Sequence, residues 1–168
     1  MCYPNIMMNT KSDLIMLIDW ENISYGRKQF VDLDGIIEKA KNWGDLRHSI
    51  AYSGFNKKYA SLIGLMHQKG IEPRYTLTKQ IKDGEEYTIK NAADIHLSVE
   101  AMTIAHANPA ISGFVIVSGD GGFLPLIRTL KVLGKRVYVI GKDRKSTMKA
   151  MAQEVDGLAY HSELGEEE

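Results

Sequence analysis

The chain has 168 residues, 44% hydrophobic and 25% charged, with 21 Lys and Arg against 21 Asp and Glu. That length suits one domain with a sizeable core, and the composition excludes a disordered or fibrous chain. Zero net charge excludes a polybasic binder that works by bulk charge, and a single cysteine, Cys2, excludes a disulfide framework or a cysteine-based zinc site.

Met1 to Thr10 carries neither a basic stretch nor an apolar core, so residues 1–12 read as a leader and not as a secretory signal. Leu14 to Ile18 is the longest apolar run, too short to span a bilayer, and reads as a buried strand closed by Asp19. Ile36, Ile37, Ala40 and Trp43 recur at helical spacing within Asp34–Trp43. Leu46–Tyr52 is a second strand, Asn56–Lys69 a helix stopped by Gly70, and Ile71–Leu77 a third strand. Between Gln80 and Ile89, Asp83-Gly84 marks a turn between short polar arms, hence a surface hairpin or loop.

Asn91–Asn108 is a long helix ended before Pro109. Phe114–Val117 is a fourth strand running into Ser118-Gly119-Asp120-Gly121-Gly122. Phe123–Leu133 is a helix with Pro125 in its first turn, and Val137–Ile140 is the next strand. A short helix over Ser146–Gln153 and a last strand over Leu158–His161 complete the pattern. Strands alternating with helices imply βαβ crossovers, a mainly parallel central sheet and a three-layer α/β/α sandwich. The domain is expected over 13–161, with an acidic tail over 162–168.

In such sheets function gathers at the carboxyl ends of the strands. Asp19 follows the first strand, Asp120 the fourth, and Asp94 stands in the first turn of the long helix. Neighbouring first and fourth strands would bring Asp19 and Asp120 out side by side. Clustered carboxylates repel one another unless a cation sits between them, and hard oxygen ligands select Mg²⁺ or Mn²⁺. Such an ion can bind a phosphate oxygen and activate water. Each aspartate also has a plainer use: Asp120 as the N-cap of the following helix, Asp94 as an offset to its helix dipole. Asn22 adds an amide able to meet a metal, water or phosphate, and is equally a turn residue.

Three blocks carry a resemblance. Leu17-Ile18-Asp19-Trp20-Glu21-Asn22, the helix block Lys90 to Ala101, and Val115 to Ile127 with its central Ser118-Gly119-Asp120 are similar to the NYN domains, LabA-like members of the PIN-like nuclease superfamily. Gly134-Lys135-Arg136-Val137 fits the turn into the last core strand, and the likeness spans Leu14 to Gly141. It implies a PIN-like, Rossmann-like fold and metal-dependent cleavage of RNA phosphodiesters. Asp19, Asp94 and Asp120 would be the Mg²⁺ or Mn²⁺ ligands and Asn22 a catalytic support. One position departs: the family usually has a second acid two residues after the Ser-Gly-Asp aspartate, and here it is Gly122. Glu21, Glu100 and Asp143 are candidate substitutes, although Glu100 lies about 120° round the helix from Asp94.

Residues 128–149 hold eight Lys and Arg against Asp143 alone, and the last fifteen residues hold six acids and no Lys or Arg. A basic body with an acidic tail suits a polyanion despite the neutral total. Arg128, Lys142, Arg144 and Lys145 are therefore candidate RNA contacts, with Lys57 and Lys58 beside Trp20, Tyr25, Phe55 and Tyr59, and Lys90 in the helix block. The tail is also a competitor for that basic face. The expected activity is metal-dependent endoribonuclease in the reducing cytoplasm, with RNA as partner, no membrane, and a second copy of the chain as a candidate partner. The rivals are a PIN-like module that binds RNA or protein without turnover, and another Mg-dependent phosphohydrolase. The haloacid-dehalogenase scheme wants Asp at position 21, where this chain has Glu21. The five histidines form no metal-ligand pair, and there is no Gly-x-Ser-x-Gly elbow.

Overall fold

The computed structural model describes residues 12–24, 31–55, 57–83 and 86–165, with the backbone alone over 78–91. The leader up to residue 11, Tyr25, Asn56, the turn at 84–85 and Glu166–Glu168 lie outside the described residues, as does the side chain of Lys90.

Six parallel strands form the central sheet: β1 (Asp13–Asp19), β2 (Asp45–Ser53), β3 (Glu72–Tyr75), β6 (Gly113–Val117), β7 (Arg136–Gly141) and β8 (Gly157–Tyr160). Their order is β3-β2-β1-β6-β7-β8. The chain winds outward from β1 in one direction and then, from β6, in the other. β1 and β6 read as continuous apolar runs because both faces of the sheet are covered. Alternation still sorts their side chains. Leu14, Met16 and Ile18 pack with Ile36, Ala40, Met66, Val115 and Val117 on one face. Ile15 and Leu17 pack with Leu97, Ala101, Phe114, Ile116, Ile127 and Leu130 on the other. Each such fully buried aliphatic side chain contributes roughly 2 kcal/mol.

The first face is covered by α1 (Trp20–Ser24), α2 (Leu33–Trp43) and α3 (Ala60–Gln68), the second by α4 (Ala93–Ala107), α5 (Leu124–Val132) and α6 (Met151–Glu154). α2 is capped by Asp32, whose Oδ1 accepts from Gly35 N at 3.0 Å. β4 (Thr78–Asp83) and β5 (Glu86–Asn91) form an antiparallel pair outside the main sheet, the arms of the expected hairpin.

Three local readings change. A 3₁₀ turn, Lys57–Tyr59, precedes α3 where a continuous helix was expected. α1 was not anticipated, since five residues cannot show a helical period. The helix expected over Ser146–Gln153 is confined to Met151–Glu154. Its would-be first turn is taken by Asp143, whose side chain accepts from Lys145 N at 2.9 Å and Ser146 N at 2.8 Å.

α4 is fastened to the sheet edge by a polar network. The Tyr52 hydroxyl donates to Glu100 at 2.7 Å, Arg74 bridges Glu100 and Glu72, and His48 meets Glu72 at 2.9 Å. Burial, with the Glu100 carboxylate beside it, pushes the Tyr52 phenol up, so it donates over the whole working range.

Gly134 ends α5 at φ +75°, its N–H on Lys131 O at 2.9 Å. A Cβ there would meet nothing within 4 Å, so the cost of a side chain is backbone strain alone. Gly134→Ala is expected to lower unfolding stability by about 1 kcal/mol in a urea titration, with the slope unchanged.

No helix among the described residues is long and apolar enough to cross a membrane.

Candidate functional site

The strand order reverses between β1 and β6, which leaves a crevice beyond their carboxyl ends where the connections diverge. Ile18 lies opposite Val117, so the next residues, Asp19 and Ser118, leave the sheet together. Asp19 is 7% exposed and Ser118 fully buried. The Ser118 hydroxyl donates to Asp19 Oδ2 at 3.3 Å and accepts from Asp120 N at 3.2 Å. α1 turns the chain back at once, so Asn22 N reaches Asp19 Oδ1 at 3.4 Å and Asn22 Oδ1 accepts from Gly119 N at 2.9 Å. Asn22 is thus a clasp between the two strand ends. Its carbonyl is spent on the clasp, which leaves the amide NH₂ for a ligand.

Burial pushes the Asp19 carboxyl up to about 6. The hydrogen bonds from Asn22 and Ser118 oppose that rise, and the charges of Glu21 and Asp120 add to it. Asp120 is exposed. It does cap the following turn, with Oδ1 accepting from Gly122 N at 2.8 Å. Capping uses one oxygen, and Oδ2 has no hydrogen-bond partner among the described residues.

These groups fit a divalent cation. A desolvated carboxylate next to two further acids is a site whose negative charge is not neutralised by any cationic side chain among its perturbing neighbours. Mg²⁺ commonly binds through one or two carboxylates and keeps its other positions for water and phosphate. Asp19 and Asp120 would hold it, with Glu21 alongside. Among the described residues no three His, Cys, Asp or Glu side chains form a ready-made ligand group.

Asp94 stands in the first turn of α4. α4 runs antiparallel to the strands, so its first turn lies at the same end of the sheet, but Asp94 is exposed and its Oδ1 accepts from Ile95 N at 2.9 Å. It is not among the charges that perturb Asp19. Of the candidate substitutes for the acid missing at Gly122, Glu100 is held by Tyr52 and Arg74, and Asp143 caps its own loop. Glu21 alone stands beside Asp19, while accepting from Ser53 Oγ at 3.2 Å and Gly54 N at 3.4 Å.

An open pocket of about 650 Å³ adjoins Asp120, lined by Asn22, the Gly119–Gly122 turn and residues 145–149. Its lining includes both Asp120 and the two lysines Lys145 and Lys149. Lys57 and Lys58 are exposed at the carboxyl end of β2. Lys142 follows β7 and is half-buried. Arg128 is taken by Glu154 at 2.7 Å, and Arg144 by Glu163 at 2.6 Å while lying over the Tyr160 ring. The acidic C-terminal stretch therefore does meet the basic segment. Trp20 and Phe55 are buried in the core, with Tyr59 edge-on to Phe55, so these rings serve packing where base stacking was considered. Ser118, Thr147 and Lys149 went unassigned in the sequence. A serine before the aspartate and a lysine in a basic segment were the only signals they carried.

A model of the NYN domain matches residues 13–162. The chain belongs to the NYN domain family. This places it in the PIN-like nuclease superfamily, whose members are generally dependent on divalent metals. The NYN domain is 34% identical over 133 residues to the uncharacterized protein MJ0482 of Methanocaldococcus jannaschii, a match covering 77% of this chain and 48% of that protein. The chain thus spans about half the length of this curated relative. The crystal structure of a protein of unknown function, VPA0982 from Vibrio parahaemolyticus, superposes with a TM-score of 0.75 at 21% identity, over 90% of this chain and 94% of that one. That likeness shows the α/β fold.

Proposed function

We propose that this NYN domain is a divalent-metal-dependent endoribonuclease acting on RNA phosphodiesters in the cytoplasm. The observation that carries the reading is the pairing of Asp19 with Asp120 at the point where the strand order reverses, beside a pocket that also presents lysines. Mg²⁺ or Mn²⁺ would neutralise charge on the scissile phosphate and activate water for attack on it. Asp19 and Asp120 would hold the ion, Ser118 and Asn22 fix the Asp19 carboxylate, and the Asn22 NH₂ would be available to the phosphate. The Gly119–Gly122 turn lets the substrate backbone come close.

A second reading has two observations behind it. With Gly122 in place of an acid, and no three-ligand group among the described residues, the domain would bind RNA without turning it over. End-labelled single-stranded RNA incubated with purified protein separates the two. Internal cleavage in Mg²⁺ or Mn²⁺ that EDTA abolishes is expected. Intact RNA with both metals, together with binding that EDTA leaves unchanged, would establish the second reading.

A further inference from the structure

The basic segment after α5 has more charge than it offers to a ligand. Arg128, Lys131 and Arg144 are held by Glu154, Asp156 and Glu163, and Lys135 Nζ donates to Ile111 O at 2.6 Å. Lys145 and Lys149 differ. Both are exposed, both line the pocket beside Asp120, and neither has an ion-pair partner among the described residues.

The loop that carries them is firmly built. Asp143 accepts from Lys145 N and Ser146 N through its side chain, and from Thr147 N at 3.0 Å through its carbonyl. Met148 N donates to Gly119 O at 3.1 Å, and Gly119 is itself tied to Asn22. The lysine stems are therefore anchored to the turn that carries Asp120. Close packing reinforces the link: a Cβ on Gly121 would fall 2.0 Å from Met148 Sδ. Thr147 lines the same pocket and is 5% exposed, and its Oγ1 has no hydrogen-bond partner among the described residues. That oxygen packs on the glycine main chain, 2.1 Å from where a Cβ on Gly141 would lie and 2.9 Å from one on Gly119, so it holds the loop close against the Asp120 turn.

We propose that Lys145 and Lys149, with the Thr147 turn between them, form a seat for the phosphodiester next to the one at Asp19 and Asp120, and so fix the register of a single nucleic-acid strand across the site. This rests on the nuclease reading for the word "next", but the seat itself is a statement about phosphate binding. It assigns substrate contact to Lys149, and it leaves Arg128 and Arg144 to intramolecular pairing.

Binding of fluorescein-labelled single-stranded RNA by the full chain in EDTA, measured across a salt series, tests the seat without cleavage. The variant Lys145→Gln/Lys149→Gln is expected to bind about tenfold more weakly at low salt. The salt slope should fall by about 1.4, since each phosphate contact on a single strand contributes roughly 0.7. Lys145→Arg/Lys149→Arg should restore both values. Wild-type affinity and slope in the double glutamine variant would overturn the proposal, and so would absence of RNA binding by the wild type. Lysine-dependent binding by a protein that cuts no RNA would remove the nuclease reading and keep the seat. Cleavage that is indifferent to both lysines would do the reverse.

Discussion

Asp19→Asn is expected to abolish RNA cleavage and to raise thermal stability in the same protein. Loss of activity by about 10³-fold or more follows from removing one of the two carboxylates proposed to hold the ion. The gain in stability follows from burial. The Asp19 carboxyl stands at about 6 in the folded chain against 3.8 as the ordinary value. Below the ordinary value both states are protonated and the site costs nothing. As pH rises from there through the folded value, the unfolded chain ionises first, and the native state loses stability by roughly 1.4 kcal/mol for each unit of separation. At neutral pH the penalty is roughly 3 kcal/mol.

Asparagine keeps the size and can still accept from Asn22 N, but carries no charge to desolvate. Melts of the metal-free protein should show the variant's midpoint roughly 6–12 °C higher at neutral pH, the two midpoints converging near pH 4. A lower midpoint for the variant at neutral pH would mean that the ionised carboxylate stabilises the fold, and would remove the charge-strained site from the account.

The second large effect is a gain. Gly122→Asp is expected to tighten divalent-metal binding about tenfold and to raise the cleavage rate by a similar factor. The backbone at Gly122 is not in the left-handed region, so a side chain is admissible. Its Cβ would lie 3.3 Å from Asp120 Oδ1 and 3.6 Å from Asp120 Cγ, with no main-chain atom among its nearest contacts. A carboxylate there therefore stands against Asp120 and supplies the acid that the family usually has. Without metal the like charges should cost about 1 kcal/mol, so added Mn²⁺ should raise the variant's melting temperature more than the wild type's. Gly122→Ala, which adds the carbon without the charge, should show neither effect. Equal Mn²⁺ affinity in calorimetry for Gly122→Asp and wild type would show that position 122 does not face the ion.

Much of this was legible in the sequence for one physical reason. Strands covered on both faces must be apolar throughout, so β1 and β6 announced themselves, and a charged residue ending such a run has to lie at the sheet's edge. That logic located Asp19 and Asp120. It could not place Asp94, because helix periodicity says which face a residue shares with its neighbours and not where that face points. It did show that Glu100 diverges from Asp94, and the structure gives Glu100 to Tyr52 and Arg74. The surplus of positive charge over 128–149 was also legible, but its cancellation was not. The partners Glu154, Asp156 and Glu163 lie 19 to 26 residues away along the chain, and only packing of β8 and its flanks brings them near. The stretch 146–150 was misread as helix because Ser146–Gln153 has helix-compatible residues. A single Asp143 side chain satisfying two main-chain donors outweighs that propensity.

The pairing of Arg128, Lys131 and Arg144 with acids further along the chain has a consequence for how the domain finds RNA. With these three cations neutralised locally and a formal charge that sums to zero, the chain projects little field beyond the screening length of about 8 Å in physiological salt, and its unpaired Lys145 and Lys149 act at short range. On the proposed reading, RNA would not be drawn in from a distance. Encounters proceed near the unsteered rate of about 10⁵–10⁶ M⁻¹s⁻¹, and strands are sorted after contact by how long they stay. A nuclease domain of this kind would sample many strands briefly and engage those that remain on its surface.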